Sequence, residues 1–197
     1  KKALERAEVI IYDALVDSKL LKFAPAQSKK IYVGKRRHRH HYEQNEINEL
    51  MLQCAQEGKV VCRLKGGDPF LFGRGAEEAE FLVKHGVKVE IIPGISSVIA
   101  VPEAVGIPLT HRDYASSVTI TTGHEVGAKK EKGAPSDWSR YALRKSVVLL
   151  MSFARLKEIV QELLHSGWPS QTPIALICSG TLPHQFCLTA TLKTILL

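Results

Sequence analysis

An apolar run leads into two glycines, an acid and a proline in Val60-Val61-Cys62-Arg63-Leu64-Lys65-Gly66-Gly67-Asp68-Pro69 and continues as Phe70-Leu71-Phe72-Gly73-Arg74-Gly75. Glycines allow positive φ and let the backbone approach a ligand closely. The Asp68 carboxylate can accept hydrogen bonds from a ribose or an amine. A Gly-Asp-Pro turn by itself is ordinary, whereas the longer string with Phe70, Phe72 and Gly-Arg-Gly is far more specific. A second turn, Ile91-Ile92-Pro93-Gly94-Ile95-Ser96-Ser97, opens onto a helix start. Free backbone N–H groups there, with the Ser96 and Ser97 hydroxyls, can receive a carboxylate or simply cap the helix. His111 and His124 are capable of acid–base work, but neither has a metal-ligand partner at helical spacing, and structural hydrogen bonding is the favoured reading. Asp13 follows Tyr12, and Lys35 follows Gly34. Singly they read as a helix cap and a solvated charge, or as catalytic groups; their shared place after apolar runs favours function.

These residues need a scaffold, and the hydrophobic pattern supplies one. Residues 8–12, 30–34, 59–65 and 87–92 read as strands. Residues 46–57 carry Ile47, Leu50, Met51, Cys54 and Ala55 on one helical face. Residues 76–85 form a second helix closed by Gly86, and residues 96–105 a third. In the second half, strands are expected over residues 117–122, 146–151, 174–178 and 185–190, with a helix over 156–164 closed by Gly167 and Pro169. Residues 126–137, polar and rich in Lys and Gly, read as a surface loop. The alternation predicts an α/β fold with a mostly parallel sheet covered on both faces. Such sheets bind ligands beyond the carboxyl ends of their strands, where Asp13, Lys35, Gly66 and Ser96 fall. A boundary near residues 110–114 divides the chain into domains of residues 1–112 and 113–197.

Composition narrows the classes. Of 197 residues 45% are hydrophobic and 24% charged, enough apolar material for a sizeable core. No apolar run approaches the ~18 residues of a membrane span, and the first residues lack a signal-peptide core, so an intracellular, cytoplasmic protein with no membrane partner is expected. Cys54, Cys62, Cys178 and Cys187 lack metal-site spacing and read as reduced, mostly buried thiols. The net charge of +7 suits an anionic partner, and its densest cluster is Lys35-Arg36-Arg37-His38-Arg39-His40-His41.

The strings at residues 65–75, 89–97, 106–115 and 122–124 resemble the tetrapyrrole methylase family, collinearly and over nearly the whole chain. The resemblance implies two α/β domains with the active site in the cleft between them, a homodimer, and S-adenosylmethionine as cofactor. Within the family it points to C-methylation of uroporphyrinogen III to precorrin-2, feeding siroheme or cobalamin synthesis, without a metal. By position, Gly66, Gly67, Asp68, Leu71, Ser96, Ser97, Met151 and Gly180 match cofactor-binding residues. Asp13 matches the proposed proton acceptor and Lys35 the proposed donor. The polycarboxylate tetrapyrrole suits Arg36, Arg37, Arg39 and Arg74, since Arg pairs carboxylates through a two-pronged fork.

The family pattern opens with a strand and a Gly-x-Gly-Pro-Gly-Asp-Pro loop and ends with further strands, so the resemblance implies a chain truncated at both ends. Locally, the Arg-His-rich stretch at residues 37–42, Met151-Ser152 and Cys178-Ser179-Gly180 depart from the usual residues. Competing readings are a methylase of a later corrin intermediate, a diphthine synthase-like enzyme, and a non-catalytic cofactor-binding or assembly module. Nucleic-acid binding rests on pI alone, lacks a recognisable motif and is set aside.

Overall fold

Strand β1 (Val9–Tyr12) is central because its residues are apolar on both faces: Val9, Ile10 and Ile11 are all buried. It pairs in parallel with β2 (Lys29–Tyr32) on one side and β3 (Val61–Leu64) on the other, with Tyr12 opposite Tyr32 and Leu64. We analysed a computed structural model that describes residues 1–34, 42–123 and 145–197.

Strand side chains alternate between faces, and the packing follows. Val9 and Ile11 join Val33 and the Ile47, Met51 and Cys54 face of helix α2 (Gln44–Gln56). Ile10 packs on the other face with Leu4 of helix α1 (Lys2–Arg6), Ala7, and Leu21 of a 3-10 turn at Ser18–Phe23. Each such buried side chain contributes roughly 1.5–3 kcal/mol relative to exposure. The expected two-sided cover of a parallel sheet is therefore present. Helix α3 (Gly75–Lys84) follows β3 and adds Leu82 to the α2 face.

The chain divides into two compact units, Lys1–Ser96 and Ser97–Leu197. In the second, helix α4 (Ser97–Ala104) is followed by β4 (Ser117–Thr122), which pairs in parallel with β5 (Lys145–Leu150). Helix α5 (Leu156–His165) buries Ile159, Val160 and Leu163 against Val147 and Leu149 of β5. The same helix meets Ile174, Leu176 and Ala190 of an antiparallel pair, β6 (Pro173–Cys178) and β7 (Phe186–Thr191).

Two expectations are corrected. Residues 87–92 do not form a strand. A strand exists by virtue of a hydrogen-bonded neighbour, and these residues have no ladder partner among the described residues, leaving Ile91 and Ile92 about half exposed. The four thiols are free, but only Cys54 is buried; Cys62 and Cys178 are half-buried, and Cys187 is exposed on β7, most of whose residues are uncovered. Burial raises Cys54 and Cys62 above the ordinary thiol value.

Candidate active site

The carboxyl ends of the three parallel strands converge. Tyr12 and Tyr32, partners at the ends of β1 and β2, meet edge to face with ring centroids 5.5 Å apart. Just beyond them the chain needs glycine on both sides of the Asp13 turn. A Cβ on Gly34 would lie 2.5 Å from the Ala14 nitrogen, and one on Gly66 2.8 Å from Leu15 Cβ. The turn carrying Asp13 is thus gripped between the residue that precedes Lys35 and the first glycine of the β3 loop. Asp13 Oδ1 accepts the Leu15 N–H at 3.1 Å, and Oδ2 lies 3.4 Å from Nη2 of Arg63. Asp13 therefore ties down its own turn and caps no helix.

The β3 loop has its own fastening. Asp68 Oδ1 accepts the N–H groups of Phe70 at 2.9 Å and Leu71 at 3.1 Å, and Oδ2 accepts the Gly94 N–H at 3.2 Å. These donors, Gly94 first, hold the carboxyl below its ordinary value of 3.8. Close approach makes the contact possible: a Cβ on Gly94 would run into the Gly67 carbonyl oxygen. Gly67 itself has φ +75°, a left-handed conformation natural to glycine. The first unit so brings Gly66, Gly67, Asp68 and Leu71 together with buried Ser96, whose Cα lies 3.9 Å from where a Gly67 Cβ would sit.

Of the other expected residues, Met151 and Gly180 occupy strand-end turns of the second unit. Ser97 begins α4 and is exposed. Met151 follows β5 with φ 53° and is half exposed beside Gly123. Gly180 follows β6 between Ser179 and Thr181, both at positive φ, and a Cβ there would stand 2.5 Å from both methyls of Val101 in α4. Arg74, also left-handed at φ 57°, is engaged at the surface by Glu77, with Nη2 2.6 Å from Oε2. This pairing holds Arg74 above and Glu77 below their ordinary values. Lys35, Arg36, Arg37, Arg39, His124 and the loop at residues 126–137 lie outside the described residues. His111 closes a small main-chain bridge with Ala115, its ring centroid lies 4.8 Å from that of Tyr114 at a tilt of 37°, and its Nδ1 accepts the Asp113 N–H at 3.2 Å.

The fold has counterparts among known proteins. A sequence model of the Tetrapyrrole (Corrin/Porphyrin) Methylases matches residues 1–196. The chain belongs to this family. It is 47% identical over 195 residues to the uroporphyrinogen-III C-methyltransferase of Methanocaldococcus jannaschii, covering 98% of this chain and 79% of that protein. It is 44% identical over 193 residues to the siroheme synthase of Nitrosomonas eutropha, covering 98% of this chain but 40% of that longer protein. A crystal structure of uroporphyrin-III C-methyl transferase from Thermus thermophilus, complexed with S-adenyl homocysteine, matches with a TM-score of 0.77 at 37% identity, covering 98% of this chain and 80% of that one.

In this methylase chain, sequence reasoning missed a buried charged group behind Asp13. Glu78 of α3 is 4% exposed. Its Oε1 accepts from Lys65 Nζ at 3.0 Å, Arg63 Nε at 3.2 Å and Gln44 Nε2 at 3.1 Å. Burial, then the charge of Arg63, pushes the Lys65 ammonium below its ordinary value, while Glu78 opposes the shift. The signal was present in the sequence: Arg63 and Lys65, two apart in an apolar strand, must share one face, and a buried face cannot carry two cations without an anion. Among the described residues no group of three or more His, Cys, Asp or Glu is arranged to hold a metal, and no helix is long and apolar enough to cross a membrane.

Proposed function

We infer that this chain catalyses S-adenosylmethionine-dependent C-methylation of uroporphyrinogen III to precorrin-2, the entry to siroheme or cobalamin synthesis. The observation that carries the reading is the Asp13 turn, held between Gly34 and Gly66 beside the fastened glycine loop. Family membership and 47% identity to a uroporphyrinogen-III C-methyltransferase support the choice of substrate.

The loop fits the cofactor. A Cβ on Gly67 would meet nothing nearer than 3.9 Å, so the absent side chain leaves space against a backbone that Asp68 keeps in place. Gly66, Gly67, Asp68, Leu71, Ser96, Ser97, Met151 and Gly180 would hold the cofactor, which supplies an electrophilic sulfonium methyl. Asp68 acts chiefly by shaping the loop, since its two oxygens already accept three backbone N–H groups. The protein's main task is orientation, bringing an electron-rich pyrrole carbon to the methyl. Once the carbon is methylated, the ring is cationic and regains neutrality by losing a proton. The Asp13 carboxylate accepts that proton, and Lys35 supplies one where the ring system must be reprotonated. Lys35, Arg36, Arg37 and Arg74 pair with the carboxylates of the substrate, which gives the +7 charge a use. We also take the chain to act in the cytoplasm as a homodimer; sedimentation at micromolar concentration tests the latter.

The test is direct. Incubation with methyl-labelled S-adenosylmethionine and uroporphyrinogen III should place label on the tetrapyrrole and generate an isobacteriochlorin absorbance. Cofactor binding with no labelled product would contradict the reading.

A further inference from the structure

Arg63 is held on every side before it reaches Asp13. Its Nη1 donates to the Ile11 carbonyl at 3.3 Å and the Leu64 carbonyl at 3.2 Å, and its Nε to Glu78 at 3.2 Å. Only Nη2 turns toward the strand-end turn, where it meets Asp13 Oδ2 at 3.4 Å. The side chain is 13% exposed and that of Glu78 5%, so neither is free to swing into solvent. Lys65 adds two bonds to Glu78, at 3.0 and 3.1 Å, and Gln44 a further one. Two cations and two carboxylates thus balance within one connected group.

The arrangement has a direction. Glu78 and the two carbonyls take three of the five N–H donors of the guanidinium. The other two sit on Nη2, and the acceptor this prong reaches is the Asp13 carboxylate, in the turn held between the glycines of the β2 and β3 ends. Asp13 Oδ1 is fixed by the Leu15 N–H, so the contact to Oδ2 fixes the second oxygen and with it the plane of the carboxylate. A planar, charged fork on a rigid strand does this better than a flexible ammonium.

We propose that Arg63 is a positioning residue, anchored by Glu78, that sets the orientation of the Asp13 carboxylate for proton acceptance. This rests on the reading of Asp13 as the proton acceptor. Arg63 touches no substrate in the proposal; it acts through Asp13. Glu78 acts one step further back, by keeping the guanidinium from turning.

The test is a double-mutant cycle on kcat with S-adenosylmethionine and uroporphyrinogen III, using Arg63→Met, Asp13→Asn and the pair, each first checked by thermal denaturation and S-adenosylhomocysteine affinity. Misplacing the carboxylate should lower kcat about 10- to 100-fold in Arg63→Met, with KM changed far less. In the Asp13→Asn background the same substitution should change kcat by no more than about 2-fold, because its target is gone. Arg63→Lys should recover part of the loss. Equal losses in both backgrounds would overturn the proposal and leave Arg63 as structural support. Wild-type kcat in Asp13→Asn alone would instead overturn the reading of Asp13, and the positioning role with it. If Arg63→Met does not fold, Glu78→Gln, which keeps the volume, takes its place in the cycle with the same expected pattern.

Discussion

Asp68 and Gly94 join two loops that are far apart in sequence: the carboxylate accepts the Gly94 N–H at 3.2 Å while its other oxygen holds Phe70 and Leu71. The contact gives Asp68 a pH signature. Hydrogen bonding places its folded value below 3.8, with the Gly94 N–H the largest cause. Folding therefore favours the ionised form. Its contribution is complete above about pH 4 and is lost as pH falls through the lowered folded value. Asp68→Asn should show a shallower fall in stability on acidification than the parent. Urea midpoints between about pH 2 and pH 6 read the difference; parallel curves would count against the role.

Gly94→Ala tests the same junction sterically. A Cβ there would stand 3.0 Å from the Gly67 carbonyl carbon and collide with the oxygen. The turn must move, at about 1–3 kcal/mol. Calorimetric affinity for S-adenosylhomocysteine should drop together with the melting temperature, because the displaced Gly67 backbone belongs to the proposed cofactor site.

In the second unit the close approach of Gly180 to Val101 makes a reciprocal pair. Gly180→Ala should destabilise by about 1–3 kcal/mol through overpacking. Adding Val101→Ala removes the obstructing methyls, so the double variant should be more stable than the sum of the single losses implies. Strict additivity in chemical denaturation would show that the two residues do not press on each other.

Arg74 and Glu77 form an exposed pair, with side chains 54% and 57% accessible. Such pairs contribute about 0–1 kcal/mol. Arg74→Glu should therefore leave the melting temperature nearly unchanged while raising KM for the tetrapyrrole, since a substrate carboxylate would meet a like charge. Unaltered KM would remove Arg74 from the substrate site.

The α/β order was legible because β1, α2 and α5 carry clean apolar patterns, and their ends moved by only a residue or two. The run at residues 87–92 misled because apolar content announces burial, whereas a strand also requires a neighbour to pair with. Asp13, Gly66 and Asp68 were readable from their place after strands. What those residues do to one another was not. Nothing local in the sequence says that Asp68 reaches Gly94, or that Glu78, ten residues beyond it, gathers Arg63, Lys65 and Gln44. The Glu78 contacts depend on how α3 lies on β3, and the Asp68 contact on where the loop at Gly94 runs. Gly180 was assigned to the cofactor by resemblance, and packing against Val101 supplies a second demand for glycine there.

Asp13→Asn carries the most weight, since the glycine-flanked turn around Asp13 is the core of the reading. Single-turnover transfer of labelled methyl from S-adenosylmethionine to uroporphyrinogen III should be compared in the parent and this variant, with S-adenosylhomocysteine affinity measured on both. General acid–base contributions of this kind amount to about 10²–10⁴-fold, and a loss in that range with affinity retained is the expected result. Formation of precorrin-2 at the parental rate in Asp13→Asn, or no methyl transfer by the parent chain itself, would contradict it.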